Sequence, residues 1–177
     1  MEKSIKSSAL NYGLYLGLTL CAITIVCYAV NMELLVNFWV AILLPTIIAI
    51  TFGVISTAKS KSLLGGYISF KQAFSSFFIT IAIGILISSV VLFVLFNFID
   101  PESAVMLKEM GLEKSREMME GFGMAEAQIN EAMAKAEQQD SFSITTQALG
   151  YAQALVFYSI IGLIVALIMK RKDPNAE

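Results

Sequence analysis

Glu109, Glu113, Glu117 and Glu120 stand three or four residues apart, the spacing that stacks carboxylates on one side of a helix. Such a row offers hard oxygen ligands, and the chemistry it could do is to hold a divalent cation. A cation site also needs ligands converging from a loop or a second helix, whereas a glutamate row on one helix is the pattern of a solvated face. Glu109, Glu113 and Glu117 are therefore read as an outer acidic face without a metal. Met106, Met110 and Met118 share that segment. Thioethers can capture copper, but no Met-x-x-Met run lies in an apolar stretch, and the methionines read as an adaptable apolar surface. Cys21 and Cys27, six residues apart in one apolar run, point to different faces of a helix and cannot bridge each other. There is no histidine. Glu33, Asp100 and Glu102 are the acids nearest to apolar stretches, where they read as caps. Catalysis needs an acid, base, nucleophile or metal in a shared site; no such set is found, so neither enzymatic activity nor a cofactor is expected.

The elements that carry these residues are set by composition. The chain has 177 residues, 57% hydrophobic and 15% charged, against about 25% charged in an ordinary soluble domain. Four stretches hold no charge at all: 7–32, 34–58, 72–99 and 141–169. A helix needs about 20 apolar residues to cross a bilayer. An all-α integral membrane protein follows, one membrane domain over 1–177. Its four transmembrane helices cover about 8–32, 34–58, 72–99 and 144–169. The first uncharged run is 26 residues long, beyond the roughly 7–15 of a leader's apolar region, so it reads as a span. Asp100-Pro101 is a helix start, an acid cap before proline at the first helical position. Residues 100–143 read as an acidic extracytoplasmic helical hairpin, with Gly121-Phe122-Gly123 as its turn.

Orientation follows from Lys and Arg, which mark the cytoplasmic side. Lys3, Lys6, Lys59, Lys61, Lys71, Lys170, Arg171 and Lys172 flank the spans on one side, and the turn holding Glu33 has neither residue type. Both termini are expected in the cytoplasm. In lipid, helices associate by close backbone approach. Small residues at four-residue steps supply it: Gly13 and Gly17 in the first span, Gly53 in the second, Gly84 and Ser88 in the third, Gly162 in the fourth. Contacts within the chain are the favoured reading, and a homo-oligomer through Gly13 and Gly17 is the other. Pro45, near the middle of the second span, is expected to kink it. Trp39 and Tyr151 fit an outer aromatic belt.

Gly65-Gly66-Tyr67-Ile68-Ser69-Phe70-Lys71-Gln72-Ala73-Phe74 opens the third span. Tyr67, Phe70, Phe74 and Phe77 recur as one helical aromatic stripe, and Lys71 can snorkel to phosphates. Tyr67, Ser69, Phe70, Lys71 and Phe74 therefore form a cytoplasmic interface, read as a depth anchor or as a docking surface for a partner or an anionic headgroup. Ile68 to Phe74, with Asn11-Tyr12-Gly13 and an outer segment holding Met110-Gly111 and a glutamate-rich helix, resembles a bacterial four-span family catalogued as domain of unknown function 4199, mainly from Bacteroidetes. The resemblance covers nearly the whole chain and implies no catalytic residues. No span contains a charge, which argues against a proton-coupled pump. The expected function is an accessory or scaffold protein of the cell envelope, acting through helix packing and contacts with membrane lipids or another envelope membrane protein. The alternative is an oligomeric transporter or channel for a small uncharged or weakly charged solute. No nucleic-acid partner is expected.

Overall fold

The structure, a computed structural model, describes residues 2–171; Lys172 lies outside the described residues. It is helical, and six α-helices are described: α1 (Glu2–Val30), α2 (Leu44–Leu63), α3 (Phe70–Val94), α4 (Pro101–Gly121), α5 (Glu126–Gln138) and α6 (Ile144–Met169). Four stretches are long and apolar enough to cross a membrane, Lys3–Val30, Trp39–Leu63, Phe70–Ile99 and Ile144–Met169. Large apolar side chains such as Leu18, Ile47, Val90, Phe157 and Ile168 lie exposed along them, the surface that hydrocarbon would cover.

The second span begins later than its uncharged run. Asn31 accepts a hydrogen bond from Glu33 N at 2.9 Å and Asn37 one from Trp39 N at 3.0 Å. These short side chains satisfy backbone donors around a 3-10 turn, Met32–Leu35, so residues 31–37 connect α1 to the helical run of the second span. Pro45 consequently lies in the first third of its span, not at the centre. Trp39–Leu43 is a π-helix, and Leu44 N bonds to Trp39 O. This wide turn leads directly into α2, with Pro45 in the first turn of that helix. A π turn thus precedes Pro45, near one end of the span and not at its middle.

α3 touches each of the other three spans, and its largest interface is with α1. The pair runs parallel. A Cβ built on Gly13 would stand 2.8 Å from Ile83 Cβ, and one on Gly17 would stand 2.8 Å from Ile87 Cβ. In return Leu16 sits over Gly84, where a Cβ would come within 2.5 Å of its side chain. Phe77 is wholly buried. Its ring is held between α2 and α6, since a Cβ on Gly53 would meet it at 2.5 Å and one on Gly162 at 2.8 Å. Glycines on four helices thus admit side chains that any larger residue would push away, and dispersion contacts replace the hydrophobic drive that lipid does not provide. Gly13 and Gly17 are occupied by α3 of their own chain. Ser88 departs from the ladder and lines a cavity instead.

Beside Phe77 lies a polar layer. Ser56, Ser60, Ser76 and Thr80 are wholly buried. Ser76 Oγ is 2.8 Å from Ser60 Oγ and 3.2 Å from Ser56 Oγ, and Thr80 Oγ1 donates to Ser56 Oγ at 2.7 Å. Thr80 Oγ1 also stands 3.1 Å from the carbonyl of Ala9 in α1. Three spans are joined by hydroxyls that satisfy one another. Pairs of hydroxyls four residues apart on consecutive spans (Ser56 with Ser60, Ser76 with Thr80) are the sequence signal for this layer.

Candidate functional site

The basic residues that flank the spans gather at one end of the bundle, because α1 and α3 start there and α2 and α6 finish there. Gly65 and Gly66 adopt φ of +74° and +93°, a region that favours glycine, and turn the chain from α2 towards α3. Ile68 then pairs antiparallel with Arg171, through Ile68 N to Arg171 O at 3.1 Å and Arg171 N to Ile68 O at 2.9 Å. Ile68 is buried against Ala73 and Ala166. The Arg171 guanidinium lies over the Tyr67 ring, 5.4 Å from its centre. Lys61 Nζ donates to Met169 O at 3.0 Å, a cation at a helix C-terminus. The stretch 65–74 is a clasp that closes the ends of α2, α3 and α6 on one another.

This changes the reading of its aromatic residues. Ser69 caps α3, with a reciprocal bond between Ser69 N and Gln72 Oε1 at 2.9 Å, so Tyr67 precedes the helix and belongs to the clasp. Phe77 is in the core. The stripe that α3 does present is Phe70, Phe74 and Phe78, stacked at 6.5 and 5.8 Å. Lys71 is exposed in the first turn.

The opposite end is roofed by α4. A cavity of about 340 Å³ lies beneath it, walled by Leu20, Thr24 and Cys27 of α1, Pro45 of α2 and Ser88 of α3, and covered by Leu107 and Phe142. Asp100 ties the roof down. Its carboxylate accepts from Tyr28 Oη at 2.5 Å, from Ser103 N at 3.1 Å and from the Ser103 hydroxyl. The hydrogen bonds from Ser103 and Tyr28 hold the Asp100 carboxyl below its ordinary value of 3.8. Asn97 Nδ2 donates to Phe142 O at 2.9 Å, and the Phe96 and Phe142 rings are 4.8 Å apart. With Thr24, Ser88 and the Cys27 thiol as its polar groups, the cavity suits an apolar moiety; it presents no acid or base.

The acidic row behaves as a solvated face. Glu109, Glu113 and Glu117 are exposed, and Glu117 pairs with Lys114 at 2.8 Å while Glu120 pairs with Arg116 at 3.1 Å. No group of metal-ligating side chains is found among the described residues. α5 packs Ile129 and Met133 inward, and Arg116 Nη2 reaches Asn130 Oδ1 at 3.1 Å to link it to α4. Tyr151 turns inward, its hydroxyl donating to the Ala82 carbonyl of α3 at 3.1 Å, and leaves the expected belt to Trp39, which is exposed.

Four membrane-length helices knit by glycines and hydroxyls, with no span-borne charge beyond their ends, define a small helical membrane protein. The chain belongs to the family described as protein of unknown function (DUF4199), whose model matches residues 11–171. Neither a curated protein nor a solved structure matches it.

Proposed function

We propose that this chain is an accessory or scaffold protein of the bacterial inner membrane, acting through packing against membrane lipids or another envelope membrane protein. The basic clasp and both termini face the cytoplasm, as the positive-inside rule requires, and α4 and α5 form an acidic extracytoplasmic hairpin. The observation that carries this reading is the closure of the bundle's polar layer. Ser56, Ser60, Ser76 and Thr80 are spent on one another, and every buried side-chain nitrogen or oxygen among the described residues has a partner. Polar groups locked in this way do not line a solute path. An oligomeric transporter or channel draws on one observation, the cavity under α4. That cavity meets Leu20, part of the packed core with Leu16, Phe77 and Ile81.

The test is the mass of the protein extracted at native expression level in mild detergent, with whatever remains bound. A stoichiometric membrane partner or retained lipid is the expected result. A bare chain or homo-oligomer that moves a solute saturably across liposomes would overturn the reading in favour of transport.

A further inference from the structure

A second cavity, of about 200 Å³, opens at the basic end between the first turns of α1 and α3. Ser69 and Lys71 stand at its mouth, and its wall runs down α3 through Ser75 to Ile79, with Ile5 and Lys6 of α1 facing it. Neither lysine makes an ion pair or hydrogen bond among the described residues. The Ser69 oxygen accepts the cap bond from Gln72 N at 3.3 Å, which leaves its proton to donate elsewhere. The Ser75 hydroxyl makes no hydrogen bond among the described residues. From Ser69 to Ile79 is ten residues of helix, roughly 15 Å. The groove therefore changes character along its length, cationic and hydroxyl-lined at the interface and aliphatic towards the span.

We propose that this groove binds one anionic phospholipid, its phosphate between Lys6 and Lys71 and the start of its chain along Ile79. Two ammonium groups with donor hydroxyls match a phosphate, and Lys6, inside the first span, reaches the interface by snorkelling. The aliphatic end gives a free phosphate nothing to touch and gives a lipid a place for its glycerol and first methylenes. The site rests on the membrane reading above and names the lipid class of its inner-surface contact.

The experiment is native mass spectrometry of the full chain reconstituted in nanodiscs of phosphatidylcholine with increasing phosphatidylglycerol. One phosphatidylglycerol per chain is expected to survive release. K6Q and K71Q are each expected to weaken retention roughly fivefold, from about 1 kcal/mol per interfacial lysine, and K59Q, a lysine outside the groove, is expected to leave it unchanged. I79W, which fills the aliphatic end, is expected to weaken it with both charges in place; circular dichroism and elution volume check that each variant folds. Equal retention in K6Q/K71Q and wild type, or no preference over phosphatidylcholine, would overturn the site. So would inorganic phosphate at millimolar concentration displacing the lipid with I79W behaving as wild type, which would make it a soluble-anion site. A partner protein that co-extracts while no lipid is retained would sink this site and leave the accessory function standing.

Discussion

The two ends of the bundle are built from the same four spans but packed by different means. In the half towards the basic end, glycines let Phe77 sink against neighbouring backbones and four hydroxyls close on one another, with Leu16 seated on Gly84 at mid-span. At the roofed end the bulky Ile23, Val40, Leu92 and Phe96 stand among the smaller Thr24, Ala41 and Ser88, and together they line a cavity of about 340 Å³. Small residues allow helices to approach, whereas bulky ones on opposed faces hold them apart. The difference teaches that closeness here depends on side-chain volume at the contact, and that the wider end needs a cover. α4 supplies it, held by Asp100 and Tyr28, and Asn97 holds Phe142 beside it.

Breaking the tight end should have the largest effect. Phe77→Ala removes the ring that three helices share and should cost about 3–5 kcal/mol, read as a lower unfolding midpoint in detergent. A loss near zero would mean that the inner half is no better packed than the outer. Gly13→Leu with Gly17→Leu should come next. New side chains would meet Ile83 and Ile87, and overpacking costs about 1–3 kcal/mol. Unchanged stability in that variant would sink the account of the α1–α3 interface. Thr80→Val leaves Ser56 short of a partner and should cost about 1 kcal/mol. Arg171→Gln loses the cation over Tyr67, worth about 0.5–1 kcal/mol at an exposed site, and should loosen the clasp as seen by faster hydrogen exchange at Ile68.

The roof gives the mildest perturbation and sharpens the contrast through pH. The Asp100 carboxyl is lowered by its bonds to Ser103 and Tyr28, so the folded state favours its charged form. That contribution is present above the ordinary value of 3.8 and is lost as pH falls through the lowered one. Hydrogen exchange in α4, corrected for intrinsic rate, should therefore quicken on acidification while exchange around Phe77 stays slow. Asp100→Asn should show the loosened α4 already at neutral pH and abolish the acid step. Parallel loss of protection at both ends would mean that roof and core open as one unit.

Local rules made some of this legible in the sequence. Asp100-Pro101 reads as a cap and first helical residue because both effects act within one turn, and Ser103 N does bond Asp100 Oδ1. Gly13, Gly17, Gly84 and Gly162 read as close-contact positions because volume is a property of the residue itself. Tyr67 was illegible as part of a clasp. Its partner Arg171 lies at the far end of the chain, and no local pattern links them. Phe77 shares a period with Phe70 and Phe74, so periodicity put it on their surface; the glycines that receive it, Gly53 and Gly162, are on two other helices. Pro45 looked central because charge alone marked the start of its span, and Asn31 and Asn37 moved that start.

Four helices of membrane length, the ends of them that carry positive charge, and the start of α4 are all written in the order of residues. Length, charge and capping act along one segment. The layer of Ser56, Ser60, Ser76 and Thr80, the clasp at 65–74 and the cavity under α4 emerge only when the helices pack. Each of these depends on which face of one helix meets which face of another, and that is set by side-chain volumes summed across helices distant in the chain.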